Sequence, residues 1–272
     1  MQGLDLSRRQ VMAIVNVTDD SFYAGSRVVD AVAVARRVEE AVEQGCTIVD
    51  IGGYSSRPGA CDIPVEEEWR RVQLGLHAAR EVSADVAISV DTFRAEVVRR
   101  CFEEVGDIVV NDISAGALDA QMVPTVARLG LNYVAMHMRG TPQTMQGCTH
   151  YDSVVDDVCG ELSARTNCLI AEGVDAGRII LDPGFGFAKS AEQNFELLGG
   201  LSKVVSLGFP VLVGLSRKSM IYRTLGITPE ESLCGTQVLM WEALRQGATI
   251  LRVHDVREAQ QTIKLYETML GL

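Results

Sequence analysis

The sequence predicts an α/β fold, a single-domain (β/α)8 TIM barrel spanning residues 1–272. Three observations point there. Short β-branched runs recur eight times, amphipathic stretches separate most of them, and polar residues gather at the C-terminal ends of the runs. Parallel strands covered on both faces read as near-continuous apolar segments. Strand–helix units with right-handed crossovers close a barrel at about eight repeats and roughly 250 residues. A doubly wound open sheet is the other architecture that this alternation permits.

The units follow in order. VMAIVNV (11–17) leads to the helix-period segment DAVAVARRVEEAVEQG (30–45). TIVDIGG (47–53) and a Gly-rich loop precede VEEEWRRVQLGLHAAREV (65–82), and AISVDT (87–92) precedes RAEVVRRCFEEVG (94–106). DIVVNDI (107–113) and NYVAMHM (132–138) come next, the latter before the long stretch DSVVDDVCGELSARTNCLIAEG (152–173). IILDPG (179–184), PVLVGLS (210–216) and ILRVHD (250–255) complete the set. The intervals are too long for hairpins, as parallel crossovers require. Gly45, Gly106, Gly130, Gly173, Gly208 and Gly247 stand where helices should end, a C-cap signal. No linker, low-complexity tract or composition shift marks a second domain.

With 47% hydrophobic and 22% charged residues, the chain has ample material for a core and too little self-repulsion for disorder. A net charge of −11 argues against nucleic-acid and anionic-membrane partners, though not against a small anionic substrate met by a local basic cluster. Seven scattered cysteines without CxxC or metal spacing read as reduced thiols. No segment approaches the ~20 apolar residues of a membrane span, and the first residues lack a signal-peptide pattern. A soluble, cytoplasmic protein is expected.

Asn16, Asp50, Asp91, Asn111–Asp112, His137, Asp182, Ser216–Lys218 and Arg252–His254 fall at the ends of the runs, the edge where barrel enzymes carry their sites. After the first run, the Asn16 amide oxygen suits a hard cation that keeps most of its water and arrives on a substrate phosphate; an ordinary Asx-rich turn is the alternative. In the loop Gly52–Gly59, glycines bring backbone N–H groups near an anion and Arg57 offers a fork for phosphate oxygens. Asp91 and Asp182 can each accept paired hydrogen bonds from an amino-pyrimidinone edge, while Asn111 can donate and accept. Those carboxylates could instead form an ion-pair network with Lys218 or Arg252. Lys218 is placed for a Schiff base or as a fixed cation. Arg252 and His254 share one strand face, where a guanidinium can stack on a flat ring and an imidazole can donate to phosphate. His137, without a second ligand at metal spacing, reads as packed. DPGFGFAKS (182–190) is neither a Walker A motif nor a dinucleotide fingerprint, because Ala188 stands before the lysine and the glycine spacing is wrong.

Together these motifs resemble the dihydropteroate synthase family along essentially the whole chain. Residues 14–22 resemble its N-x-T-P-D-S-F loop and residues 50–59 its D-I-G-G-E-S-T-R-P-G signature. SVDT (89–92), NDIS (111–114), MHMRGTPQTMQ (136–146), DPGFGF (182–187), SRKS (216–219) and RVHD (252–255) follow in the family's order. The resemblance implies dihydropterin-6-ylmethyl diphosphate and para-aminobenzoate as substrates, Mg²⁺ accompanying the diphosphate, and a homodimer. By position it implies that Asp91, Asn111, Asp182 and Lys218 hold the pterin, with Arg252 stacked on it. Asn16, Arg57 and His254 would serve the diphosphate and its metal; Phe22, Ser56, Pro58, Phe187, Lys218 and Ser219 would line the aminobenzoate site. Arg57, Lys218, Arg252 and His254 form the expected catalytic set. Asp19, Tyr54, Ser56 and Ala188 depart from the family pattern. Two other readings are a non-catalytic pterin-binding paralogue and a methyltetrahydrofolate-binding methyltransferase.

Overall fold

Side chains alternate across a strand, so every second residue of a barrel strand faces the barrel axis. The strands are β1 (Gln10–Asn16), β2 (Ile48–Gly52), β3 (Ala87–Asp91), β4 (Val109–Asp112), β5 (Asn132–Met136), β6 (Ile179–Asp182), β7 (Leu212–Val213) and β8 (Ile250–Val253). They form one parallel sheet in the order β6-β5-β4-β3-β2-β1-β8-β7. A bridge between Leu181 and Val211, with the Leu181 N–H donating to the Pro210 carbonyl at 2.9 Å, joins β6 to β7 and closes the barrel. This computed structural model describes residues 4–18, 27–55 and 61–272.

Among the described residues ten α-helices follow the strands, one each except for two after β6 and two after β7: α1 (Arg27–Glu43), α2 (Val65–Val82), α3 (Ala95–Val105), α4 (Met122–Leu129), α5 (Val154–Ala171), α6 (Ala191–Gly199), α7 (Leu201–Val205), α8 (Ser219–Leu225), α9 (Leu233–Arg245) and α10 (Val256–Leu270). Helix α2 has the bounds that its apolar period predicts, and the six C-cap glycines all adopt positive φ. At Gly130 the backbone is left-handed (φ 64°), and its N–H closes the last turn of α4. Strand β7 is shorter than the predicted 210–216. Pro210 has no N–H to give a ladder, and after Gly214 the chain turns toward Arg217, whose φ is 55°. Among the described residues no helix is long and apolar enough to cross a membrane.

Parity explains where the site lies. Met12, Ile48, Val109, Val134, Ile180, Leu212 and Ile250 form one buried cluster, with Leu4 and Leu6 packed against it. Each such side chain contributes about 1.5–3 kcal/mol by leaving water. Two residues further along the same strands stand Ile14, Asp50, Asn111, Met136, Asp182, Gly214 and Arg252. Two more reach Asn16, Ser216 and His254. On β3 the inward series is Ala87, Ser89, Asp91. The barrel interior therefore changes from apolar to polar within one inward step. Residues of opposite parity, including Val11, Val49, Ile88, Val110, Tyr133 and Leu251, pack outward against helix residues such as Leu76, Cys101, Leu162 and Leu244.

Candidate active site

A cavity of 540 Å³ opens at the C-terminal end of the barrel. Asn16, Asp91, Asn111, Asp182, Phe187, Lys218, Ser219, Arg252 and His254 all line it, so nine of the expected site residues meet in one place. Phe22, Ser56, Arg57 and Pro58 lie outside the described residues, as does Asp19. Tyr54 is not among the described residues lining the cavity; its ring packs edge-on against Phe93 at 5.0 Å, with the Arg94 guanidinium 5.3 Å from its centre.

Beneath the cavity sits a carboxylate to which the sequence reading assigned no role. Asp50 is fully buried and accepts from Ser89 Oγ (2.6 Å), Asn111 Nδ2 (3.1 Å) and Arg252 Nε (2.6 Å). Since an ionised carboxylate only accepts, it turns the nitrogen of Asn111 toward itself and leaves the amide oxygen for the cavity. Arg252 also donates through Nη2 to Asp91 Oδ2 at 2.6 Å. The ion-pair network that the sequence left open thus exists between β8, β2 and β3. Against the cost of burial, the two carboxylates hold Arg252 above its ordinary range. Burial pushes the Asp91 carboxyl up to about 7, Arg252 pulls against that, and Asp50 adds to it. Oδ1 of Asp91 has no hydrogen-bond partner among the described residues, so a ligand can still use it.

Asp182 ends β6 and accepts the Gly184 N–H at 2.7 Å. Gly184 has φ 69°, and a Cβ there would lie 2.0 Å from the His137 carbonyl oxygen, so only glycine fits this turn. Burial raises the Asp182 carboxyl above its usual range, opposed by the Gly184 N–H and then by Lys218. Lys218 donates to the Phe185 carbonyl at 2.6 Å, with Nζ 4.6 Å from the centre of the Phe187 ring. Burial lowers its ammonium to about 8, against the attraction of Asp182. Ala188, where the family pattern has glycine, sits at φ 51°, a conformation that costs an L-residue roughly 1–2 kcal/mol.

A second lysine supports this loop from behind. Lys189 is buried and uses all three donors, on the carbonyls of Gly184 (3.1 Å) and Phe187 (3.0 Å) and on His137 Nδ1 (3.0 Å). Burial lowers its ammonium to about 7. The other ring nitrogen of His137 meets Glu161 at 3.1 Å, and Glu161 pairs with Arg139. His137 is therefore packed behind the loop rather than facing the cavity, as its parity one residue past β5 dictates. No residue-type signal marks Lys189, since a lysine after a Gly-rich loop reads first as a solvent or phosphate group.

His254 follows β8, with Nδ1 3.0 Å from Ser216 Oγ. Burial and the positive charge of Arg252 lower its imidazolium to about 4, so the ring is neutral near pH 7. Arg217 also lines the cavity, but its guanidinium is committed to a two-pronged pair with Asp255 at 2.8 and 2.9 Å. Asn16, whose side chain carries an amide oxygen, lines the cavity, and among the described residues there is no cluster of three His, Cys, Asp or Glu side chains. This donor set fits an Mg²⁺ ion that brings most of its own oxygens, and not a site built of protein ligands alone.

A sequence profile of the pterin binding enzyme family matches residues 12–254. A dihydropteroate synthase of Haemophilus influenzae is 39% identical over 264 residues, covering 97% of this chain and 95% of that one. The structure of Xanthomonas albilineans dihydropteroate synthase with 4-aminobenzoic acid superposes with a TM-score of 0.91 at 37% identity, covering 99% of this chain and 96% of that one. The same bacterium's enzyme in complex with 7,8-dihydropteroate gives 0.88 at 35% identity, over 99% and 96% of the two chains.

Proposed function

Because the chain belongs to the pterin binding enzyme family, we infer that it is a dihydropteroate synthase. It joins dihydropterin-6-ylmethyl diphosphate to para-aminobenzoate, giving 7,8-dihydropteroate and diphosphate in folate biosynthesis. The single observation that carries this reading is the cavity itself: Asp91, Asn111, Asp182, Lys218 and Arg252 converge on it with hydrogen-bonding atoms left over for a ring edge.

The residues divide the work. The free oxygens of Asp182 and Asp91 accept N–H groups of the pterin, and the Asn111 oxygen accepts another. Lys218 is a cation held against Phe185 and Phe187 beside the ring. The arylamine is already neutral at pH 7 and needs no base to expose its lone pair, so the barrier lies in diphosphate departure. The C–O bond of the pterin methylene breaks first and its electron pair leaves with diphosphate. The ring stabilises the cation, the arylamine nitrogen then bonds to the methylene, and one N–H proton is released. Asn16 would hold Mg²⁺, which when bound neutralises charge on the diphosphate. Arg57 and His254 would donate to the same group; Phe22, Ser56, Pro58, Phe187 and Ser219 would receive the arylamine. Positional isotope exchange within the diphosphate, without para-aminobenzoate, is the expected signature of this order, and complete absence of exchange would contradict it.

Two further parts belong to this proposal. All seven cysteines are free, in keeping with work in the reducing cytoplasm. Leu265 and Met269, one turn apart on α10, and Val238 of the adjoining α9 are exposed apolar side chains, which supports a homodimer through barrel helices. A monomer mass by light scattering at micromolar concentration would remove the dimer.

A further inference from the structure

We propose that Ser216 is a positioning residue that fixes His254 as its Nε2–H tautomer, so that the imidazole presents a donor to the cavity. The assignment rests on counting protons around one hydroxyl. Ser216 is buried and its Oγ accepts the His254 backbone N–H at 3.2 Å. The same oxygen lies 3.0 Å from His254 Nδ1. Were Nδ1 protonated, Ser216 Oγ would receive two donors and its own O–H would have no acceptor among the described residues. With Nδ1 unprotonated, the O–H donates to it and every group is paired. Burial first, then the positive charge of Arg252, with Arg217 and Arg37 adding to it and Asp255 opposing, keep the ring neutral, so only one nitrogen carries hydrogen. That nitrogen is Nε2, which has no partner among the described residues on a ring that lines the cavity.

The consequence is a change of sign. A neutral imidazole with Nε2–H attracts an anionic oxygen, whereas the opposite tautomer turns a lone pair toward it. Ser216 also fixes the ring from a different strand, since it follows β7 while His254 follows β8. The neighbouring Arg217 sits at φ 55° with its N–H donated to Thr236 Oγ1 at 3.2 Å, which anchors the turn carrying the hydroxyl. The role of the donor rests on the diphosphate reading above; the tautomer itself does not.

The test is the ring ¹⁵N spectrum of the 272-residue chain labelled at its four histidines, with His254→Gln identifying the His254 signals. In the wild type Nε2 is expected to be the protonated nitrogen and Nδ1 a hydrogen-bonded lone pair. In Ser216→Ala the Nδ1 signal should move toward that of a free lone pair and an Nδ1–H population should appear. Inorganic diphosphate should then bind about tenfold more weakly, the cost of one charge-assisted bond. Ser216→Thr, which keeps the hydroxyl, should stay near the wild type in both readings. An Nδ1–H tautomer in the wild type, or a Ser216→Ala spectrum unchanged at His254, would overturn the assignment. A wild type with the expected tautomer that fails to bind dihydropterin diphosphate would instead overturn the synthase reading, with the Ser216 assignment upheld.

Discussion

Asp182 spends one carboxylate oxygen on the Gly184 N–H and keeps the other without a partner among the described residues. In Asp182→Ala, hydrogen bonds to a charged group worth about 1.5–3 kcal/mol each are lost, so pterin affinity should fall about ten- to a hundred-fold or more. Calorimetry with a dihydropterin is the measurement, and unchanged affinity would remove Asp182 from the ring-reading set. Lys218 gives a pH signature. Its ammonium is lowered to about 8, so the cation is present below that pH and lost above it. The kcat/KM for the pterin diphosphate should therefore fall on the alkaline side of about pH 8, and Lys218→Arg should move that limb upward. A flat profile to pH 10 would deny Lys218 a role as a cation. At this scale the sequence placed the polar residues that end the runs, Asp50 among them, but not which of them bond to one another. Asp50 has the same parity as Asn111 and Arg252, but only the folded barrel shows that it holds both.

The β6–α6 connection is the element that couples packing to the site. Gly184 and Gly186 let it pass close to His137 and Lys218, where a Cβ on Gly186 would lie 3.2 Å from Lys218 Cδ. Lys189 ties its carbonyls down from the side away from the cavity. Lys189→Met leaves those acceptors unpaired and should destabilise the fold by about 1–3 kcal/mol. The pH dependence is specific. The folded ammonium is lowered to about 7 from 10.5, so between these values the unfolded chain binds more protons and the wild type gains stability as pH rises. The variant lacks that gain, so its deficit in urea unfolding should grow from pH 7 to pH 9; a deficit constant with pH would contradict the assignment. Helix α2 was legible to the residue because its apolar period and flanking loops agree. Strand β7 was overextended because an apolar run hides the missing N–H of Pro210.

Across the whole molecule, one rule generates both stability and site. Each barrel strand contributes an apolar residue to the lower layer, and its next inward position supplies much of the cavity wall or of the polar layer beneath it. That rule was readable from eight runs with polar C-terminal ends. The cross-strand ties were not, because register between strands distant in sequence, such as Arg252 on β8 with Asp50 on β2, is set only when the barrel closes. The acidic chain still offers the cations of Lys218 and Arg252 and the neutral imidazole of His254 at one mouth, which reconciles a net charge of −11 with an anionic substrate.

The most direct test of the account is a coupled assay for diphosphate release from synthetic dihydropterin diphosphate, run with and without para-aminobenzoate and Mg²⁺. Sustained release that requires both additions, with dihydropteroate formed in equal amount, is the predicted result. Tight binding of the pterin diphosphate without turnover under any condition would contradict it and make the chain a pterin-binding paralogue, with Tyr54 and Asp19 the first positions to revert.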